Sequence, residues 1–573
     1  MSSTNTLANP WYYLENFEFV LRWIEQRYSD LLLPEERNQI SRFLLLPRPA
    51  RGLLTRMVMR KGNLFRASKL NYPEIGDALI AAEGLGDQGW ISENPLLTLD
   101  ELFGLLSKAE ITALFRPLLL AGKVATSVKA TQLACLRASF PDSLRLTQWI
   151  SLGASMGCEA NELVHEVIYR ENMNALADRF RLMFFGNMRQ DWSEFVLADL
   201  GRYVYEKVDF PETSRAFHSR EDIDAYLQLH QSRERLAAGI AAGDTGIVAE
   251  IAVTMPPRHD NDWIETRRGK LLFHLGRYHE RLGNWTDALG CYTACSYPQA
   301  RGRRIRVLER AGRYGEAVEI GTIAAQSPES EAEQQLLERM MPRLHRRIGL
   351  PWQCRERARP LPHSRLRLPT LAPPMRVERQ VRDHLHEQTP DAPVFYVENT
   401  LINTLFGLLC WEAIFAVIPG AFFHPFQPGP ADLLHADFHV RRESQFACSM
   451  GQLASGKYKH TIQQNFVRKA GIQSPFVAWG IITAQVLDHA LSCIPAAHLE
   501  LAFRRLMHDV RNNRSGFPDL IQFWPAERRY QMIEVKGPGD RLQDNQIRWL
   551  DYFHKHDLPV SVCYVDYEAL SFT

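Results

Sequence analysis

Apolar side chains recur at helical spacing from early in the chain. Phe17, Val20, Leu21 and Ile24 fall on one face, and the pattern predicts a helical region through residues 1–90. Two short helical patterns follow between residues 98 and 140. The first begins at Thr98. The second begins at Ser107, with Glu110 placed to complete a capping box. Residues 235–340 stay helical and partly repeat: GNWTDA from Gly283 is echoed by GRYGEA from Gly312. Small residues there let paired helices approach, and the aromatic fills the gap between them. Leu401–Pro419 is strongly apolar, but Asn403 and Glu412 break it, so it predicts a buried helix. A membrane span would need about 18 or more unbroken apolar residues. Near the C-terminus the pattern changes. Residues 520–524 read as a strand, 525–529 as a turn and 530–535 as a second strand, together a hairpin. Gly537-Pro538-Gly539 ends it. Residues 541–556 read as a helix burying Leu542, Ile547, Leu550 and Phe553, and 560–565 as a third strand.

A chain of 573 residues predicts three to five units at about 100–200 residues each. Net charge is only +1, so any nucleic-acid surface must be a local patch. One such run is Arg42, Arg48, Arg51, Arg56, Arg60, Lys61, Arg66 and Lys69, uninterrupted by any acid and interleaved with Phe43 and Phe65. It predicts phosphate contact with DNA, a solvated helical face being the alternative. The hairpin at 98–140 predicts a second DNA-binding module presenting Lys123 and Lys129. Residues 343–382 are rich in arginine and carry Pro351, Pro360, Pro362, Pro369, Pro373 and Pro374, which disfavours helix and predicts an extended linker. Nine cysteines are scattered, with Cys291 and Cys295 the one close pair, read as reduced core thiols. The first residues lack a signal-peptide pattern. A soluble, intracellular protein without a membrane partner is expected.

The C-terminal hairpin carries the chemistry. Glu534 and Lys536 are two apart on a strand and share a face, and the hairpin returns Asp519 beside them. Two carboxylates repel unless a cation lies between them, and hard cations such as Mg²⁺ or Mn²⁺ favour oxygen ligands. Such an ion activates water and offsets charge on a phosphate, while Lys536 would orient the water and stabilise the transition state. The alternative is that Asp519 caps a turn while Glu534 and Lys536 form an ordinary pair.

The strings GFPDL, IEVKGPGDRLQDNQIRWL and VSVCYV resemble the VRR-NUC domain, a branch of the PD-(D/E)XK nucleases, and in particular the Fanconi-associated nuclease family. ENTLINTLFGLLCWEAIF and FQPGPADL add to the likeness. The N-terminal segment RMVMRKGNLFRASKLNYPEI resembles that family's basic region, 98–140 falls where it has a SAP module, and 235–340 resembles tetratricopeptide hairpins, although at less than the usual ~34-residue offset. The resemblance implies a mostly α-helical multidomain chain with a C-terminal α/β nuclease. Its expected divisions are a basic helical domain at 1–90, a SAP-like module at 91–170, a tetratricopeptide-like domain at 171–345, a linker at 346–375 and the nuclease at 376–573. It implies Glu398, Asp519, Glu534 and the Val535 carbonyl as metal ligands and Lys536 as the catalytic lysine. Glu398 is preferred over Glu387 by its spacing from Trp411. Asp540 and Gln546 match further family positions. Asp540 in the other reading caps the next helix, and Gln546 in the other reading only holds that helix on the hairpin. A basic pocket for a terminal 5′ phosphate would draw on Arg511 and Arg514, or on Lys457 and Lys459. The implied activity is 5′-flap endonuclease and 5′-to-3′ exonuclease on branched DNA, in interstrand crosslink repair, with Mg²⁺ or Mn²⁺. The chain lacks a cysteine-rich ubiquitin-binding finger, as in shorter bacterial members, which implies a bacterial, nucleoid-associated protein of the cytoplasm. A Holliday-junction-type resolvase and a non-catalytic scaffold remain as alternatives.

Overall fold

The two spacings at Thr98 and Ser107 do what a capping box requires. The Glu101 N–H donates to the Thr98 hydroxyl at 3.1 Å and its carboxylate accepts from the Thr98 N–H at 2.9 Å. Ser107 and Glu110 repeat the exchange at 3.2 and 2.6 Å. These caps start helices Leu99–Leu105 and Lys108–Ala121. The computed structural model describes residues 9–158, 161–192, 203–352, 360–369 and 375–568. It divides into two compact units, Met1–Tyr203 and Val204–Thr573.

The first unit begins with helices Tyr12–Tyr28, Pro34–Leu45 and Arg48–Val58, which bury Phe17, Val20, Leu21 and Ile24 as their spacing predicts. The region is not wholly helical. Strands β1 (Leu64–Arg66) and β2 (Ile91–Glu93) both pair antiparallel with β3 (Ile168–Glu171), in the order β1-β3-β2. Three-residue strands carry too little alternation to be read from sequence. The helical hairpins between them enclose a separate core around Leu102, Ile111, Leu114, Phe115 and Trp149.

The second unit opens with a run of helices from Arg220 to Arg347: Arg220–Ala242 packs on both Thr245–Val253 and Asp262–Leu282, and from Asp262 onward each packs on the next. The repeated glycines are helix stops: Gly283 and Gly312 have φ of +77° and +74°, a conformation that glycine adopts without a Cβ penalty. The last helix of the run is α1 (Glu331–Arg347). The stretch 343–382 is not extended throughout: 343–347 end α1, and 377–382 lie in a helix, Val377–Gln388. Residues His363–Leu368 form strand β4, which pairs parallel with β8 (Val560–Tyr567). Within that arginine-rich stretch, 353–359 and 370–374 lie outside the described residues.

The final sheet has the order β4-β8-β7-β6-β5, with β5 at Val394–Tyr396, β6 at Leu520–Trp524 and β7 at Arg529–Lys536. Strands β5, β6 and β7 are antiparallel neighbours, and β7 runs parallel to β8. One face carries Val381 of α2 (Val377–Gln388) over Leu520, Ile533, Val535 and Cys563. The other is covered by helices inserted between β5 and β6 and by α5 (Asp544–Lys555), with Trp549, Leu550 and Phe553 fully buried. The insertion includes the buried α3 (Leu401–Leu409) and α4 (Ala496–His508). Among the described residues no helix is long and apolar enough to cross a membrane. The eight described cysteines are free thiols, and burial pushes Cys291 up to about 11.

Candidate active site

The hairpin register pairs Leu520 with Ile533, so Asp519 lies across from Glu534 just beyond the last pair. Asp519 Oδ2 accepts from the Val535 N–H at 2.9 Å. Strand alternation turns Val535 into the core beneath α2 and leaves Glu534 and Lys536 on the face toward α5. There Lys536 Nζ stands 2.8 Å from Glu534 Oε1. Gln546 of α5 closes the group. Its Nε2 donates to Glu534 Oε1 at 2.6 Å, and its Oε1 accepts from Lys536 Nζ at 3.1 Å and from the Gln543 N–H at 2.9 Å.

Backbone devices hold the group in register. Gly516 has φ of +100°, and a Cβ there would meet the Asn545 carbonyl carbon and oxygen at 2.7 Å, so only glycine lets this turn lie against α5. Asn399, at φ +52°, accepts from the Gly516 and Phe517 N–H groups at 2.7 and 3.1 Å. The Val397 N–H donates to the Asp519 carbonyl at 2.8 Å. Glu398 therefore sits beside Asp519, in the turn between β5 and α3. The Tyr396 hydroxyl and, at 3.2 Å, the Asn399 amide donate to its carboxylate.

Asp519 is 7% exposed, Glu534 0% and Lys536 8%. Burial pushes Asp519 up to about 6, helped by Glu398 and Glu378 and opposed by the Val535 N–H and Lys536. Burial pushes Glu534 up to about 7, with Asp519 and Glu398 adding to the rise and Lys536 opposing it. Glu534 Oε2 is buried and has no hydrogen-bond partner. Three carboxylates with one lysine leave this pocket short of positive charge. The oxygen donors of Glu398, Asp519, Glu534 and the Val535 carbonyl suit a hard divalent cation. Among the described residues these carboxylates do not already converge on one point. Glu398 is turned to Tyr396, and Glu534 to Lys536 and Gln546, so gathering them on an ion requires Glu398 to leave Tyr396.

Asp540 does not cap α5. It accepts from the Gly537 N–H at 3.0 Å and closes the glycine-rich turn, while Gln543 is the capping residue. The acid-free run at 42–69 is not acid-free in space, because acids distant in sequence fold onto it. Arg51 pairs with Glu18, Arg56 lies 2.8 Å from Glu74 and over the Tyr13 ring, and Arg66 sits between Glu110 and Glu166 at 2.8 and 2.7 Å. Arg60 and Lys61 are exposed. Lys129 donates to the Phe103 and Leu106 carbonyls, finishing a helix, whereas Lys123 is exposed at φ +56°. Arg511 donates to the Leu434 carbonyl at 2.9 Å and Arg514 to the Pro475 carbonyl at 3.3 Å. Arg511 also lines a cleft of about 670 Å³ with Arg303, Arg306, Arg339 and Arg548. Lys457 and Lys459 are exposed at the start of another helix of the insertion, Tyr458–Arg468, Lys457 just before it. Sequence reasoning missed Tyr396, Asn399 and Glu378. Tyr396 and Glu398 are two apart at a strand end, a usable signal. Glu378 had none, because its nearness depends on how α2 packs.

Three family profiles match: "FAN1, HTH domain" over residues 11–92, "Fanconi anemia-associated nuclease SAP domain" over 96–149, and "VRR-NUC domain" over 453–567. The chain is 48% identical over 560 residues to the Fanconi-associated nuclease 1 homolog of Pseudomonas aeruginosa, covering 98% of this chain and 96% of that one. It is 24% identical over 656 residues to Fanconi-associated nuclease 1 of Homo sapiens, covering 98% of this chain and 63% of the human protein. Among solved structures it is similar to paFAN1 bound to 2nt 5′flap DNA with gap, with a TM-score of 0.88 and 47% identity over 98% of this chain and 99% of that one. The paFAN1 complex with 1nt 5′flap DNA gives a TM-score of 0.87.

Proposed function

From the premise that the chain belongs to the Fanconi-associated nuclease family, we propose that it is a divalent-metal-dependent nuclease of branched DNA. It cuts near 5′ flaps, degrades 5′ to 3′ and serves interstrand crosslink repair in a bacterial, nucleoid-associated setting. The paFAN1 complexes with flapped, gapped DNA support the substrate class. The observation that carries the reading is the buried group of Asp519, Glu534 and Lys536, with one Glu534 oxygen left without a partner.

Glu398, Asp519, Glu534 and the Val535 carbonyl would hold the ion, Mg²⁺ or Mn²⁺. When bound, it supplies Lewis-acid stabilisation of charge on the scissile phosphate. Asp519 is fixed for this by the Val535 N–H. Lys536 is held between Glu534 and Gln546, so its ammonium is oriented before substrate arrives. That preorganised charge orients the attacking water and offsets the charge that develops on phosphate oxygens. Exposed cations such as Arg60, Lys61 and Lys123 supply backbone contacts, which position DNA without reading its sequence.

The test is cleavage of labelled 5′-flap, 3′-flap, nicked, four-way-junction and blunt duplex DNA by wild type and Asp519→Ala, with Mg²⁺, Mn²⁺ or EDTA. The expected result is metal-dependent cutting near the 5′-flap branch, lost by a factor of at least about 10³ in the variant. Cutting confined to four-way junctions would reassign the role. Binding without any cutting would make the protein a scaffold.

A further inference from the structure

The first turn of α5 touches three parts of the second unit at once. Asp544 and Arg548 are one turn apart and share a face, while Gln546 lies on the opposite side. On the Gln546 side are Glu534 and Lys536. Between them, the Asn545 amide donates to the Ser515 hydroxyl at 3.2 Å, and Gly516 lies against the Asn545 backbone, three residues before Asp519. The Asp544 side faces α1, the last helix of the repeat-like run. Arg339 of α1 donates to both Asp544 oxygens, at 2.8 and 2.5 Å. Gln335 accepts from Arg548 at 2.8 Å and donates to the Asp544 carbonyl at 3.4 Å. A second tie runs through Arg505 of α4, which is 6% exposed, pairs with Glu331 of α1 and donates to the Arg548 carbonyl at 2.8 Å.

We infer that α1 is a positioning element for catalysis: Arg339 and Gln335 set the placement of α5, and through Gln546 the placement of Lys536 and Glu534. The helical run is then part of the cutting machinery and not only a spacer. Arg339 touches no reacting group, so it acts through Asp544. The inference rests on the reading of Asp519, Glu534 and Lys536 as the nuclease site.

The experiment measures single-turnover cleavage of a 5′-flap duplex at saturating enzyme, the dissociation constant for the same duplex without metal, and the melting temperature. Variants are Arg339→Asp, Asp544→Arg, the double exchange of the two, Gln335→Ala, and Asp519→Ala as the site control. Each single exchange is expected to slow cleavage about tenfold, since small misplacements of catalytic groups are costly, with affinity and melting temperature nearly unchanged. The double exchange restores the rate to within about threefold, because the pair is re-formed with its charges reversed. Gln335→Ala, which changes no charge, slows cleavage about threefold. Wild-type rates in the single exchanges would overturn the inference. So would a loss in affinity that the double exchange does not repair, since Arg339 would then be a DNA contact. Undiminished cleavage by Asp519→Ala would instead sink the underlying site reading.

Discussion

Glu534 has no exposed surface, yet one of its oxygens makes no hydrogen bond. Such a group is expensive unless protonated or metal-bound, and the rise of Glu534 to about 7 and Asp519 to about 6 expresses that cost. The sign of the pH effect follows. A carboxyl whose folded value is raised binds more protons folded than unfolded. Its contribution to stability is fully present below its ordinary value and is lost as pH rises through 6 and then 7. The metal-free protein is therefore expected to be less stable at pH 8 than at pH 6, as far as these two groups decide it. Metal relieves the repulsion at pH 8 but must displace a proton at pH 6. Thermal melts with and without Mn²⁺ should show a larger metal-induced rise at pH 8. An equal rise at both pH values, or one that persists in Asp519→Ala, would count against these carboxylates as ligands.

At the scale of elements, the segment leading into the hairpin lies against the α5 backbone at Gly516. Gly516→Ala would need φ near +100° and a collision with the Asn545 carbonyl. The expected cost is about 2–3 kcal/mol of stability, together with slower cleavage as the turn before Asp519 shifts. Denaturant unfolding and single-turnover cleavage would check both, and a neutral result in each would show that the turn accommodates a side chain. Strand β6 is legible as the apolar run Leu520–Trp524, ended by the turn that begins at Pro525. The start of α5 was read too early, at residue 541 instead of Asp544. The Gly537–Asp540 turn delays it, and an aspartate before an apolar pattern looks like a cap until its partner is known. Strand β4 lies inside the proline- and arginine-rich stretch that predicts a linker, and its pairing partner, β8, lies at the far end of the chain. The site's carboxylates and lysine could be named from their spacing and from family likeness. Tyr396, Asn399 and Glu378 come from parts of the chain that only folding brings near.

At the scale of the molecule, the basic segment shows where sequence is a poor guide to charge. Arg51, Arg56 and Arg66 each meet an acid from elsewhere in the first unit, while Arg60, Lys61 and Lys123 stay exposed. The two units are each compact. A chain restricted to residues 204–573 is therefore expected to fold and to retain metal-dependent cleavage. It should bind the flap more weakly and with a shallower salt dependence, because the cations of the first unit no longer displace counterions. Unchanged affinity and salt slope would remove the first unit from DNA binding. The sheet that carries the site has a further consequence, for the history of the chain. Strands β4 and β5 precede the insertion at residues 397–519, whereas β6, β7, α5 and β8 follow it. Strand β8 lies between β4 and β7, so the sheet cannot close until the final segment is made. Non-local pairings of this kind form late, after the entropy of the intervening loop has been overcome. During synthesis the first unit is therefore complete long before the sheet that carries Asp519, Glu534 and Lys536 can close.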